Sequence, residues 1–295
     1  MNRLLTVLLL FLYSFCFSQE NVSQFPLKES SLLWKIEGNG IPKGSYLFGT
    51  MHLIEKQYFI FPEKLEKLVK KSDQLVLELP GLPNQMEAMK FVKLADGVTF
   101  FDFFTPEQTD TILDWAQKEL KMSEDKFRKT MGGMKPFVVV QTATQLHFIG
   151  KTESYEMSYE KLARENSIEI KGLETLEEQM SLFDDLTREQ QANMVMEGIR
   201  NTQKMLELTK TMQEVYTRQN VDSLYILISE EGGTISEEQS EFLDNRNERW
   251  VPKIEAMISE KKSFIAVGAG HLGGPSGVIR LLEKRGYTLT PVEFK

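Results

Sequence analysis

Short apolar runs ended by glycine stand near both ends of the chain, while the middle is written mostly in helical spacing. Leu32 to Glu37 and Gly44 to Phe48 are apolar-rich and joined by Gly38-Asn39-Gly40-Ile41-Pro42, which predicts two strands and a hairpin loop. Phe61 to Lys71 has helical spacing and leads into Gln74-Leu75-Val76-Leu77-Glu78-Leu79-Pro80, a buried strand whose end carries an acid. Thr105-Pro106-Glu107-Gln108 is a capping box with proline at the first helical position, so a helix is expected through Asp114-Trp115. Lys161 to Asn166 closes another helix, Ser167 to Lys171 reads as a strand, and Gly172-Leu173-Glu174-Thr175 follows it. From Leu176 to Lys262 the spacing is mostly helical, with a break at Gly232-Gly233. Phe264 to Val267 predicts a strand, Gly277 to Arg285 a helix stopped by Gly286, and Tyr287 to Val292 a last strand. The whole predicts one α/β domain built from the two ends of the chain, with a helical insertion at about 176–262 lying over it.

Two of these strands end alike. Gly49-Thr50-Met51-His52 follows Ser45 to Phe48, and Gly268-Ala269-Gly270-His271 follows Phe264 to Val267. Together they use two of the three histidines in the chain. Glycine permits a tight turn or a close backbone approach, so the residue three places on can project over the strand's carboxyl end. In open α/β sheets that edge is where ligands bind. Glu78 and Glu174 also lie on or just beyond strands, so each half of the chain supplies one histidine and one glutamate. Two imidazoles and one or two carboxylates suit a divalent ion such as Zn, Mn, Co or Fe. Such an ion lowers the pKa of bound water, and a spare glutamate takes the proton.

Blander readings compete with this one. A buried Glu78 must find a partner, and an arginine such as Arg246 serves as well as a metal. Glu174 precedes a helical stretch, where an acid simply favours the helix N-terminus. His147, in Gln145-Leu146-His147-Phe148, has no comparable setting and reads as structural. Gly268-Ala269-Gly270-His271-Leu272-Gly273 formally matches the dinucleotide fingerprint, but Gly274-Pro275-Ser276 stands where the helix should already have begun. There is no H-E-x-x-H, no G-x-S-x-G and no P-loop. The fourteen methionines, many in the helices around Met194, Met196, Met205 and Met212, read as core filler.

Composition narrows the setting. Met1 to Ser18 carries one charge, Arg3, and an apolar stretch from Leu4 to Leu12, which reads as a secretory leader with Gln19 opening the mature chain. No later segment is apolar for long enough to span a membrane. Cys16 is the only cysteine and lies in that leader, so the mature chain, residues 19–295, is expected to have no disulfide and no thiolate chemistry. The expected location is periplasmic or secreted. A net charge of -8 argues against nucleic acid and anionic membranes as partners.

Leu33-Trp34-Lys35 through Ser45-Tyr46-Leu47-Phe48-Gly49-Thr50-Met51-His52 resembles the opening of the TraB/GumN family, which is related to the Tiki metalloproteases and more distantly to erythromycin esterases and a haem-binding lipoprotein. Gly172-Leu173-Glu174-Thr175 with Glu178-Gln179, Arg246-Asn247 with Trp250, and Val267-Gly268-Ala269-Gly270-His271-Leu272 are similar to its later blocks, in order. The resemblance implies a mixed α/β sheet made of two pseudo-repeated halves flanked by helices, with both G-x-x-H histidines and Glu78 in one pocket. In the Tiki branch it implies manganese or cobalt and peptide cleavage. The leading expectation is an exported metal-dependent hydrolase, above all a peptidase, acting on a peptide or small ester. His52, Glu78 and His271 would hold Mn, Co or Zn, with Glu174 secondary and Arg246 neutralising an oxyanion or substrate carboxylate. The alternatives are a metal-free esterase-like hydrolase and a non-catalytic envelope protein that binds a peptide or haem.

Overall fold

A computed structural model of the chain describes residues 29–81, 85–231 and 240–295. The expected leader and the expected break at Gly232-Gly233 lie outside the described residues. In chain order the elements begin β1 (Leu33–Gly38), β2 (Ser45–Thr50), β3 (Ile54–Glu55), α1 (Glu63–Lys70), β4 (Gln74–Leu77), α2 (Gln85–Val92), α3 (Pro106–Glu119), α4 (Glu124–Met131) and α5 (Pro136–Phe148). Then come β5 (Thr152–Glu153), α6 (Tyr155–Glu165), β6 (Glu169–Gly172), α7 (Leu176–Asp184), α8 (Arg188–Arg200) and α9 (Thr202–Thr217). The last are α10 (Val221–Glu231), α11 (Asn245–Glu260), β7 (Ser263–Gly268), α12 (Val278–Lys284) and β8 (Tyr287–Pro291). Among the described residues no helix is long and apolar enough to cross a membrane.

Contacts divide these elements into two compact units. The first comprises residues 85–149 and 176–207 of those described and is helical. Thr105 and Gln108 form the reciprocal capping box that the sequence predicts at the start of α3. Helix α5 buries Phe137, Val139, Val140 and Ala143, and Gly198 of α8 is small enough to let Val140 approach it. His147 sits on α5, within this first unit.

The second unit, residues 29–81, 150–175, 208–231 and 240–295 of those described, holds a six-stranded mixed sheet in the order β6-β4-β7-β2-β1-β8. The predicted hairpin is present, with β1 antiparallel to β2 in the register Leu33↔Phe48. Its loop reverses through positive φ at Gly38, Asn39 and Gly40, two of them glycines that enter this region without steric cost. Strand β8 closes the outer edge against β1, while β2, β7, β4 and β6 run parallel to one another. The four strands thus share a direction and end at one edge. Buried on the sheet, Phe48 and Phe264 meet Tyr155 and Tyr159 of α6 and Phe294, an aromatic cluster with ring centroids 5.2 to 6.3 Å apart.

One glycine of the sheet has no room for a side chain. A Cβ on Gly172 would lie 2.4 Å from Cδ of Pro80 and 3.0 Å from the Glu174 carbonyl oxygen, and neither a proline ring nor a backbone atom yields easily. Gly172→Ala is therefore expected to cost about 1–3 kcal/mol, the range for overpacking a filled site. Chemical denaturation checks this, and an unchanged midpoint would contradict the close approach.

Candidate functional site

The four parallel strands deliver their side chains in the order of the sheet. Glu174 follows β6, Glu78 follows β4, His271 follows β7 and His52 follows β2. The β4–β6 ladder continues past the strands, since Leu173 N–H donates to Leu77 O at 2.9 Å and Glu174 N–H to Glu78 O at 2.8 Å. This extension sets the two glutamates side by side. Between β2 and β7 the register Gly49↔Val267 and Thr50↔Gly268 brings the two G-x-x-H segments together. A Cβ on Gly49 would lie 2.9 Å from that of Ala269, so glycine is what lets them meet. His271 sits in a 3-10 turn, Ala269–His271, and α12 begins only at Val278, an arrangement unlike a dinucleotide-binding turn.

The α-carbon of Gly268 marks the centre of the site. A Cβ there would be 3.3 Å from Glu78 Oε1, 3.5 Å from His271 Cδ2 and 3.7 Å from His52 Nε2, so the three predicted groups converge from separate strand ends. Gly268 also donates its N–H to Glu78 Oε1 at 2.8 Å.

Arg246 completes the group. A π-helical turn, Ser240–Asp244, runs into α11, whose buried face carries Arg246, Asn247, Trp250, Val251, Ile254 and Ile258 at helical spacing. The guanidinium donates from Nε to Glu174 Oε1 at 3.0 Å and from Nη2 to Glu174 Oε2 at 2.9 Å and Glu78 Oε2 at 2.7 Å. From Nη1 it donates to the Phe242 carbonyl at 3.1 Å and reaches His271 Nε2 at 3.2 Å. Its carbon lies 4.8 Å from the Trp250 ring centroid, and Trp250 also packs on the His271 ring at 4.3 Å. The arginine partner that the sequence offers for Glu78 as an alternative to a metal is therefore present.

Both imidazoles are held by Nδ1. His271 Nδ1 lies 2.7 Å from Asn247 Oδ1, and the Asn247 amide donates to Ser276 O, so Nδ1 carries the proton and Nε2 is the lone pair that Arg246 meets. His52 Nδ1 lies 2.8 Å from Glu156 Oε1, and its Nε2 faces Glu78 Oε1 at 3.6 Å. The two histidines consequently differ in charge. Burial and then the neighbouring Arg246 push His271 down to about 3, so it is neutral. Burial also opposes charge on His52, but Glu156 and then Glu78 outweigh it and raise its pKa to about 10. Burial works against ionisation of Glu78, yet Arg246 and then His52 hold it well below the usual carboxylate range.

The structure thus brings together all five residues singled out in the sequence, His52, Glu78, Glu174, Arg246 and His271. It adds Glu156 and Asn247. Asn247 adjoins Arg246, but Glu156 gave no signal of its own. It stands in the first turn of α6, after the capping Ser154, where an acid is ordinary.

The donor set suits a divalent metal only in part. Glu78 Oε1 and His52 Nε2 fit in spacing, because ligands at about 2.0–2.2 Å from one ion lie about 3–4 Å apart. His52, charged between its two carboxylates, must first give up its Nε2 proton. His271 fits in type and tautomer, but its lone pair meets Arg246 Nη1, which must give way before a third ligand is available. In keeping with that contact, no three His, Cys, Asp or Glu side chains among the described residues are placed to hold an ion together.

A mixed α/β sheet whose parallel strands carry a buried His–Glu–Arg centre at their carboxyl ends defines the class. The sequence profile of the TraB/PrgY/gumN family matches residues 32–291, and the chain belongs to that family. Neither a curated protein nor a solved structure matches the chain.

Proposed function

We propose that the protein is an exported metal-dependent hydrolase that cleaves a peptide or a small ester. The observation that carries this reading is the convergence of His52 Nε2, Glu78 Oε1 and the His271 ring around the α-carbon of Gly268. His52 and Glu78 would hold the ion, joined by His271 once Arg246 Nη1 moves aside. A bound divalent ion polarises a carbonyl and acidifies water at neutral pH. The chain's own residues supply the rest. Arg246 bonds Glu78 Oε2 and keeps the carboxyl ionised, which suits Oε1 to hold the ion. Glu174 is bound along the guanidinium by three hydrogen bonds and acts as the charge balance of Arg246. Export rests on the apolar leader at Met1 to Ser18.

A second reading, metal-free hydrolysis, is favoured by the Arg246 contact with His271. In it His52, held in its charged form by two carboxylates, donates a proton from Nε2 to the leaving group, while Glu78 takes the proton of the attacking water. One experiment separates the two. Wild type and His52→Ala are purified, analysed for metal, and assayed on peptides and esters with Mn, Co, Zn or EDTA. A wild type that carries metal and loses it on substitution supports the first reading. Equal metal content in the two proteins sinks the role of His52 as a ligand, and activity that survives exhaustive chelation selects the second.

A further inference from the structure

Glu156 is the one carboxylate at the site that Arg246 does not touch, and its bonds run in another direction. Its Oε1 accepts from His52 Nδ1 at 2.8 Å and from Thr50 Oγ1 at 2.9 Å, while its Oε2 accepts from Ser154 Oγ at 3.1 Å. Thr50 is the last residue of β2 and lies two places before His52, whereas Ser154 caps α6 by accepting from Met157 N–H. A strand end and a helix start thus both grip the group that grips the imidazole. A histidine ring bonded only at Nε2 can rotate about its side-chain torsions. One bonded at Nδ1 to a fixed acceptor can present only Nε2, in one direction.

We propose that Glu156 is the positioning residue of the site, which turns His52 so that Nε2 faces Glu78, with Thr50 and Ser154 holding Glu156 in place. The inference rests on the reading of the site as a metal-dependent hydrolase for its effect on affinity, but not for its effect on the ring. It also gives the second residue of Gly49-Thr50-Met51-His52 a task of its own. Glycine admits the neighbouring turn, threonine anchors the acceptor, and histidine meets that acceptor. Outer partners of this kind change metal affinity by about 10–100-fold when removed.

The test uses the full mature chain and two readouts that do not need a substrate. Cobalt(II) is titrated into wild type, Glu156→Ala, Glu156→Gln and Thr50→Val, with affinity read from its visible absorption. In the metal-free proteins the His52 Nδ1 proton is followed by NMR, which single substitutions assign easily in a chain with three histidines. Glu156→Ala is expected to weaken cobalt binding about 10–100-fold and to lose the protected, downfield Nδ1 proton. Glu156→Gln keeps a carbonyl oxygen for His52 and Thr50, and its amide can donate to Ser154 Oγ, so the proton signal stays and affinity returns toward wild type. Thr50→Val leaves the bonds of His52 intact and gives a smaller loss in the same direction, which keeps the test open if Glu156→Ala does not fold. An affinity for Glu156→Ala within about threefold of wild type overturns the proposal while leaving metal binding standing. If wild type binds no cobalt, the metal reading fails by itself. The Nδ1 proton then decides alone: present in wild type and Glu156→Gln but lost in Glu156→Ala, it supports the positioning role; absent from wild type, or unchanged in Glu156→Ala, it overturns it.

Discussion

Replacing Arg246 by methionine is expected to destabilise the protein by about 3–5 kcal/mol, a drop in Tm on the order of 10 °C. Methionine fills much of the arginine's volume, so the loss is chiefly electrostatic. Arg246 lies buried between Glu78 and Glu174, both buried themselves, and gives them four hydrogen bonds of 2.7 to 3.2 Å. Removing the cation leaves two carboxylates side by side in a poorly solvated site, which must then bind protons or open to water. The same physics predicts the cure. Glu78→Gln and Glu174→Gln added to Arg246→Met remove the stranded charges, and most of the lost stability returns. Urea unfolding of the single and triple variants is the measurement. A single variant as stable as wild type would show that the three groups do not act as one unit.

His271→Gln is expected to lower kcat/KM on whichever peptide or ester the wild type cleaves by about 10²–10⁴-fold, the range for a lost acid–base or metal-binding group, with Tm little changed. Glutamine is chosen because its carbonyl can accept from Arg246 Nη1 and its amide can donate to Asn247 Oδ1, the two polar contacts of the imidazole. Packing on Trp250 is retained in part. Fold and chemistry are thereby separated, as they would not be with alanine at a buried position. Rates within twofold of wild type would remove His271 from the reaction and leave it a structural partner of Arg246.

Much of the sheet was legible because its strands announce themselves. β1, β2, β4 and β7 are apolar runs bounded by glycine, proline or a charged turn; β1, β2 and β7 fall within a residue or two of the expected place, while β4 starts at Gln74 as expected but ends at Leu77, three residues before Pro80. The strand-end rule then gave four of the five expected site residues, since His52, Glu78, Glu174 and His271 all follow parallel strands. Arg246 came partly from the need of a buried acid for a partner and partly from the family pattern. Glu156 was not legible. Its chemistry depends on β2 reaching the start of α6, a tertiary contact across 106 residues between Thr50 and Glu156, and in the sequence it is one more acid in a first turn. The clustering of α7 and α8 with α2 to α5 was equally silent, because helical spacing records which face is buried but not against what.

The place of β7 has a consequence for the order in which the protein can form. It pairs with β2 on one side and β4 on the other, yet the Ser45–Ser263 hydrogen bond that marks this junction spans 218 residues. Until β7 arrives, the β1–β2 hairpin and the β4–β6 pair are separate ribbons, each with an apolar edge unpaired. A growing chain must hold those two edges apart from each other and from its neighbours between the completion of β6 at Gly172 and the arrival of β7 at Ser263. The closing step is non-local and slow by its topology, and it assembles the sheet and its His–Glu–Arg centre together.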